Sequence, residues 1–136
     1  MKLNLETIQT INLFESMTGA NIKDCIKKED KLMFIVEEGH IKRALGRDNS
    51  NLKRMEEILK KKIILIAFSK NVVKFINNLL YPLKVDNIQK EGNIIEIYVQ
   101  DNRIKGKIYG RSRENIKWII DLVKKYYDDI EDIKIK

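Results

Sequence analysis

Apolar residues recur along this chain in two alternating rhythms. Between Asn71 and Tyr81 they fall at Val72, Phe75, Ile76, Leu79 and Leu80, the three-and-four spacing that lines one face of a helix. Leu5–Met17 opens the chain in the same manner. Pro82 sets the end of the Asn71–Tyr81 helix, because its ring disfavours the helical conformation at the preceding residue. Each helix is followed by shorter runs rich in β-branched residues. Ile22–Lys28 and Leu32–Val36 are joined by Glu29-Asp30-Lys31, and Leu83–Ile88 and Ile94–Val99 flank Glu91-Gly92-Asn93. Such runs with short polar joints predict hairpins. A short helix then ends at Gly46, and another at Gly110, where glycine suits the left-handed residue that closes many helices. Longer helices follow, with Leu52, Met55, Ile58 and Leu59 on one face of the first, and Ile116, Ile119, Ile120, Val123, Tyr126 and Tyr127 on that of the second. Ile63–Phe68 and Ile130–Ile135 read as closing strands.

The two halves are copies. With Gly46 placed over Gly110, an offset of 64 residues, Gly46-Arg47 lies over Gly110-Arg111, Asn51-Leu52-Lys53 over Asn115-Ile116-Lys117, and Leu59-Lys60-Lys61 over Val123-Lys124-Lys125. A fixed offset of this kind marks a structural repeat. The prediction is a mixed α/β (α+β) chain of two units, residues 1–69 and 70–136. Each runs α-β-β-α-α-β, a three-stranded sheet covered by helices.

Composition narrows the chemistry. Of 136 residues, 43% are hydrophobic and 35% charged, which suits a folded, strongly ionic globule. The longest run free of charge, Phe75–Leu83, is too short to span the ~30 Å hydrocarbon layer of a membrane. Met1–Leu5 carries no long apolar run of the secretory kind. One cysteine, Cys25, fits a reducing cytoplasm and excludes a cysteine-clustered zinc site. One histidine, His40, excludes a multi-imidazole metal centre. The glycine-rich phosphate cradles of nucleotide enzymes are missing, and no nucleophile–base set is visible. The expectation is therefore a non-enzymatic protein with no metal, no cofactor and no small-molecule substrate.

What remains is basic charge, and it is concentrated. Ile41–Arg54 holds Lys42, Arg43, Arg47, Lys53 and Arg54 against Asp48 alone. Arg103–Lys117 holds Arg103, Lys105, Lys107, Arg111, Arg113 and Lys117 against Glu114 alone. The two windows together carry +9, more than the +7 of the whole chain. Both centre on a tight turn between helices, Gly46-Arg47-Asp48-Asn49 and Gly110-Arg111-Ser112-Arg113. A helix starting after such a turn offers backbone amides and a positive dipole end to phosphate. Glycine removes the Cβ that would block close approach, and Arg47 and Arg111 can add two-pronged phosphate contacts. On one corner alone, a solvated basic face and a structural glycine explain the pattern as well. The duplication of the charge favours a shared polyanion ligand.

A glycine-centred turn between two helices within α-β-β-α-α-β resembles the type II K-homology (KH) domain. Tandem copies, with Ile11-Asn12-Leu13-Phe14-Glu15, Thr18-Gly19-Ala20, Asp24-Cys25 and Asn78-Leu79-Leu80-Tyr81-Pro82-Leu83-Lys84-Val85, resemble the archaeal NusA-like transcription factors over essentially the whole chain. The resemblance implies binding of single-stranded RNA during transcription elongation and termination or antitermination, with RNA polymerase a candidate partner. It implies that the loops Gly46–Asn49 and Gly110–Arg113 clamp about four nucleotides by their backbone. The contacts would come from Lys42, Arg43, Gly46, Arg47, Lys53, Lys105, Lys107, Gly110, Arg111, Ser112, Arg113 and Lys117. The adjoining apolar groove would be edged by Leu45 and Leu52 in one copy and by Ile108 and Ile116 in the other, four residues that read as core side chains reaching the groove rim.

The loops depart from the KH pattern, which has a second glycine where this chain has Asn49 and Arg113. Asparagine tolerates a positive φ, whereas arginine stores roughly 1–3 kcal/mol of strain there. Asp48 would face the phosphate in the first loop, so the second unit is expected to bind RNA more strongly. The same departures motivate two rivals: a protein-interaction scaffold that lost RNA binding, and a ribosome-associated KH protein.

Other residues carry plainer expectations. His40 reads as an exposed or capping side chain, Cys25 as a buried inert thiol. Trp118 lies off the apolar stripe of its helix, open to a base, to the other unit or to a protein partner. Asp128-Asp129-Ile130-Glu131-Asp132 reads as a solvated acidic turn. The neighbouring pairs Glu37-Glu38 and Glu56-Glu57 diverge and form no acid/base couple.

Overall fold

The computed structural model describes residues 5–136. The chain divides into two compact units, residues 1–70 and 71–136. The reading of Met1–Leu5 as free of a leader falls on residues 1–4, outside those described.

In the first unit α1 (Leu5–Thr18) leads into β1 (Ile22–Lys28), β2 (Lys31–Val36), α2 (Ile41–Leu45), a one-turn 3-10 segment (Arg47–Asn49), α3 (Ser50–Leu59) and β3 (Lys62–Ala67). β2 is central, antiparallel to β1 and parallel to β3. Local bonds explain where α1 stops. The Gly19 amide donates to the Glu15 carbonyl, with Gly19 at φ 74°, and the Thr18 hydroxyl donates to the Phe14 carbonyl. The Glu15 carboxylate then takes the Ile22 amide (2.8 Å) and fixes the start of β1. Phe14, Cys25, Phe34, Val36, Ala44, Met55 and Ile63 form the core beneath the helices, and the Phe14 and Phe34 rings stack at 4.6 Å. Complete burial of large side chains of this kind is the main stabilising term for so small a unit.

The second unit repeats the order: α4 (Val72–Leu80), β4 (Asn87–Glu91), β5 (Ile94–Tyr98), α5 (Asn102–Tyr109), a 3-10 segment (Arg111–Arg113), α6 (Glu114–Tyr126) and β6 (Asp132–Ile135). β5 is antiparallel to β4 and parallel to β6. Asn71 caps α4 by accepting the amides of Val73 and Lys74. Asp101 caps α5 in the same way. Both are the oxygen-bearing side chains that helix starts favour. Phe75, Ile76, Ile95, Ile97, Ile108, Ile119 and Val123 are buried, with Tyr127 against the Phe75 ring at 5.7 Å. The two units are thus tandem type II KH folds.

Two strands start later than the hydrophobic reading has them, β6 at Asp132 rather than Ile130 and, more markedly, β4. The strand expected at Leu83–Ile88 begins at Asn87 and runs to Glu91. The Leu83 amide is held by the Leu80 carbonyl (2.8 Å), which keeps the chain in a turn after Pro82. Pairing starts only where the Asp86 amide meets the Tyr98 carbonyl. β4 is then a polar edge strand, Asn-Ile-Gln-Lys-Glu, of the charged kind that discourages pairing with other chains. Among the described residues no helix is long and apolar enough to cross a membrane.

Candidate nucleic-acid interface

Both turns have one backbone shape. Gly46 sits at φ 74°, ψ 175°, and Gly110 at 71°, 176°, a region for which glycine alone is suited. This is not the left-handed helical conformation expected of a helix-closing glycine. That conformation is taken two and three residues later, by Asp48 and Asn49 (φ 54° and 61°) and by Ser112 and Arg113 (54° and 61°). A Cβ on Gly46 would lie 2.7 Å from Asn51 Cγ, and one on Gly110 2.6 Å from Asn115 Cβ. The glycine therefore makes room for an asparagine of the chain itself. Asn51 Nδ2 donates to the Arg43 carbonyl (2.9 Å), and Asn115 Nδ2 to the Ile108 carbonyl (3.1 Å). Each asparagine ties the second helix to the end of the first. This partnership explains the repeated Gly-Arg-x-x-x-Asn, and the signal for it lay in the repeat.

Part of the expected amide array is engaged within the turn. The Asn49 amide donates to the Gly46 carbonyl and that of Arg113 to Gly110, both at 3.2 Å. The Ser50 and Glu114 amides donate to the carbonyls of Arg47 and Arg111. The amides of Arg47, Asp48, Arg111 and Ser112, at the tips, take no part in these bonds. Around them Lys42, Arg43, Arg47, Lys53, Lys107, Arg111, Ser112, Arg113 and Lys117 are exposed, and Lys105 is half-buried.

The second unit adds a groove. A cavity of about 460 Å³ runs between the turn and α6 on one side and β6 on the other. Tyr109, Arg113, Ile116, Lys117 and Ile120 line the helical wall, Asp132 to Lys136 the strand wall. The Arg113 guanidinium stands 5.0 Å from the centre of the Tyr109 ring, an attractive cation–π contact. Lys136 makes its backbone bonds to Ile97 and Val99, on the β5 side, so strand alternation turns the amide and carbonyl of Ile135 to the open edge. Of the predicted residues the groove gathers Arg113, Lys117 and Ile116. Ile108 does not edge it, being wholly buried in the core. Tyr109 and the β6 edge were not singled out in the sequence, and Ile120 reads there only as part of the apolar face of its helix.

The matching cleft of the first unit is bridged. Glu56 occupies the position of Ile120, and its carboxylate accepts the Ile63 amide of β3 at 3.0 Å. Leu45 and Leu52 are half-buried there. Charge also gathers away from the turns. Register places Lys28 opposite Lys31 and Lys31 opposite Lys62, next to Lys60 and Lys61. Burial holds the Lys28 ammonium below the usual lysine range, and Lys31 adds to this. At the same end of the second unit stand Asp128, Asp129, Glu131 and Asp132. Lys90 pairs with Asp129 and holds its carboxyl below the usual range.

The remaining candidates settle into structural roles. His40 Nδ1 accepts the Asn21 amide (2.9 Å) and makes no helix cap. Cys25 is buried, and burial followed by the neighbouring Asp24 carboxylate pushes its thiol up to about 11. Trp118 is half-buried. Among the described residues no three His, Cys, Asp or Glu side chains are placed to hold a metal ion.

Comparison with known proteins agrees with this geometry. The chain is 37% identical over 125 residues to the "Probable transcription termination protein NusA" of Methanococcus vannielii, covering 90% of this chain and 72% of that protein. It is 31% identical to the protein of the same name from Halococcus morrhuae, over 94% of this chain and 93% of the relative. The chain belongs to the archaeal NusA family. The crystal structure of APE1850 superposes with a TM-score of 0.70 at 28% identity, covering 98% of this chain and all of that one. No family model matches the chain. The NusA relatives from Thermoplasma acidophilum and Halobacterium salinarum, 25% and 26% identical, extend the likeness across 96% and 99% of the chain.

Proposed function

We propose that this NusA-family chain is a non-enzymatic, cytoplasmic, single-stranded RNA-binding protein acting in transcription elongation and termination, in the vicinity of RNA polymerase. The observation that carries the reading is the groove of the second unit. Its floor is apolar at Tyr109, Ile116 and Ile120, and its rim is cationic at Arg113, Lys117 and Lys134. Bases stack and pack on such a floor, while the phosphates face Lys117, Lys134 and the turn tip at Arg111 and Ser112. The first unit contributes basic charge through Lys42, Arg43, Arg47 and Lys53, but its cleft is crossed by Glu56 and its turn carries Asp48. The second unit is therefore the principal RNA site.

The test is a titration of a single-stranded RNA at increasing salt. The logarithm of the binding constant should fall linearly with that of salt, at about −0.7 per phosphate neutralised. Arg111→Glu with Arg113→Glu should weaken binding far more than Arg47→Glu. RNA that fails to bind even at low salt, with polymerase captured in the absence of RNA, would sink the proposal and favour a scaffold.

A further inference from the structure

We propose that Arg113, held over the Tyr109 ring, is the base-reading residue of the second unit and selects bases that present two adjacent hydrogen-bond acceptors. The inference rests on the RNA-binding reading and adds specificity to it. Arg113 occupies the last position of the turn, where it holds φ 61°, ψ 19°. A side chain with a Cβ in that conformation costs free energy, and such cost persists where surrounding structure holds the residue in place. The packing of Asn115 against Gly110 holds the turn in this shape, and the Tyr109 ring, 5.0 Å from the guanidinium carbon, holds the side chain. Arg113 and Tyr109 line the same groove, alongside Ile116 and Ile120.

The chemistry follows from the shape of the group. Guanidinium is a planar fork of N–H donors with no acceptor. The ring stands 5.0 Å from the guanidinium carbon, and the Arg113 side chain is exposed, so N–H donors remain open to a base. Guanine offers N7 and O6 side by side, and cytosine offers N3 and O2. Adenine and uracil carry no two adjacent acceptors, so a fork finds only one partner on them. A base with the paired acceptors can take two parallel bonds from Arg113, while a base with one acceptor takes a single bond. The first unit lacks the device, because Leu45 and Asn49 stand at the matching positions.

The experiment compares single-stranded oligouridine with the same strand carrying one guanosine, one cytidine or one adenosine, at fixed salt. The expected result is about tenfold tighter binding for the guanosine or cytidine strand than for the uridine and adenosine strands. 7-Deazaguanosine, which lacks N7, should lose the gain if guanine is the base read, and should match guanosine if the fork contacts its other edge, which overturns the assignment for guanine. Arg113→Gly and Arg113→Lys should both bring the ratio towards one, the lysine variant because it keeps charge without the fork. Tyr109→Leu should lower the ratio, whereas Lys117→Gln should weaken all strands by a common factor. Wild-type protein that binds every strand equally overturns the base-reading role while leaving RNA binding intact. Protein that binds none of them overturns the RNA reading itself.

Discussion

The two turns differ by a few degrees in backbone and by two charges in side chain. Gly46 and Gly110 share one conformation, as do Asp48 with Ser112 and Asn49 with Arg113. Between the glycines and the helices, however, Arg-Asp-Asn stands in one turn and Arg-Ser-Arg in the other. Backbone shape therefore does not depend on the residues at the tip. It depends on the glycine and on the asparagine five positions later, which fills the glycine's empty side and ties the two helices. With shape secured by two residues, the tip and the cleft beside it are free to diverge in chemistry. The first unit has placed a carboxylate across its cleft, and the second has left an isoleucine and an open strand edge.

The largest expected effect tests the shared part. Gly46→Ala and Gly110→Ala should each destabilise their own unit severely. The φ values near +70° cost roughly 1–3 kcal/mol for a residue with a Cβ, and overpacking against the asparagine adds roughly 1–3 kcal/mol. Denaturant unfolding of the two variants should give losses of similar size. A loss in one unit alone would mean that only one turn relies on the glycine–asparagine contact.

The next effect exchanges what differs. Ile120→Glu puts a carboxylate into the groove of the second unit, beside Arg113 and Lys117, and RNA affinity should fall about tenfold, or about 1.4 kcal/mol. Glu56→Ile removes the matching carboxylate from the first unit, where RNA affinity should rise by a smaller factor because Asp48 remains. Equal responses of the two variants, read by titration with one oligonucleotide, would mean that the clefts contribute alike.

What could be read from the residues, and what could not, divides along the same line. The order of elements and the repeat follow from apolar spacing and from glycine, both local properties. The extent of β4 was hidden because its residues are polar and its start is set by the Asp86–Tyr98 bond, a long-range pairing. Ile108 reads as a core residue that reaches the groove rim, and its complete burial agrees with the core part of that reading. The bridge from Glu56 to Ile63, the ring beneath Arg113 and the lysines of Lys28, Lys31 and Lys62 depend on which strand lies beside which. Spacing along the chain does not contain that information.

The smallest effect separates the two residues that stand in place of a second glycine. Asn49→Gly should change stability by a few tenths of a kcal/mol, because asparagine already tolerates the left-handed region. Arg113→Gly should look nearly as quiet, for a different reason. Relief of about 1 kcal/mol of backbone strain is offset by the added freedom of glycine in the unfolded chain, about 0.4–1 kcal/mol. Loss of the Tyr109 contact removes a further ~0.5–1 kcal/mol. The opposing contributions separate in a double-mutant cycle. In a Tyr109→Leu background the contact is already gone, so Arg113→Gly should be more favourable there by about 0.5–1 kcal/mol than in the wild-type protein. The same cycle on Leu45 and Asn49 should show no coupling. If the two backgrounds respond identically at Arg113, the ring does not hold the guanidinium, and the second turn is distinguished from the first by charge alone.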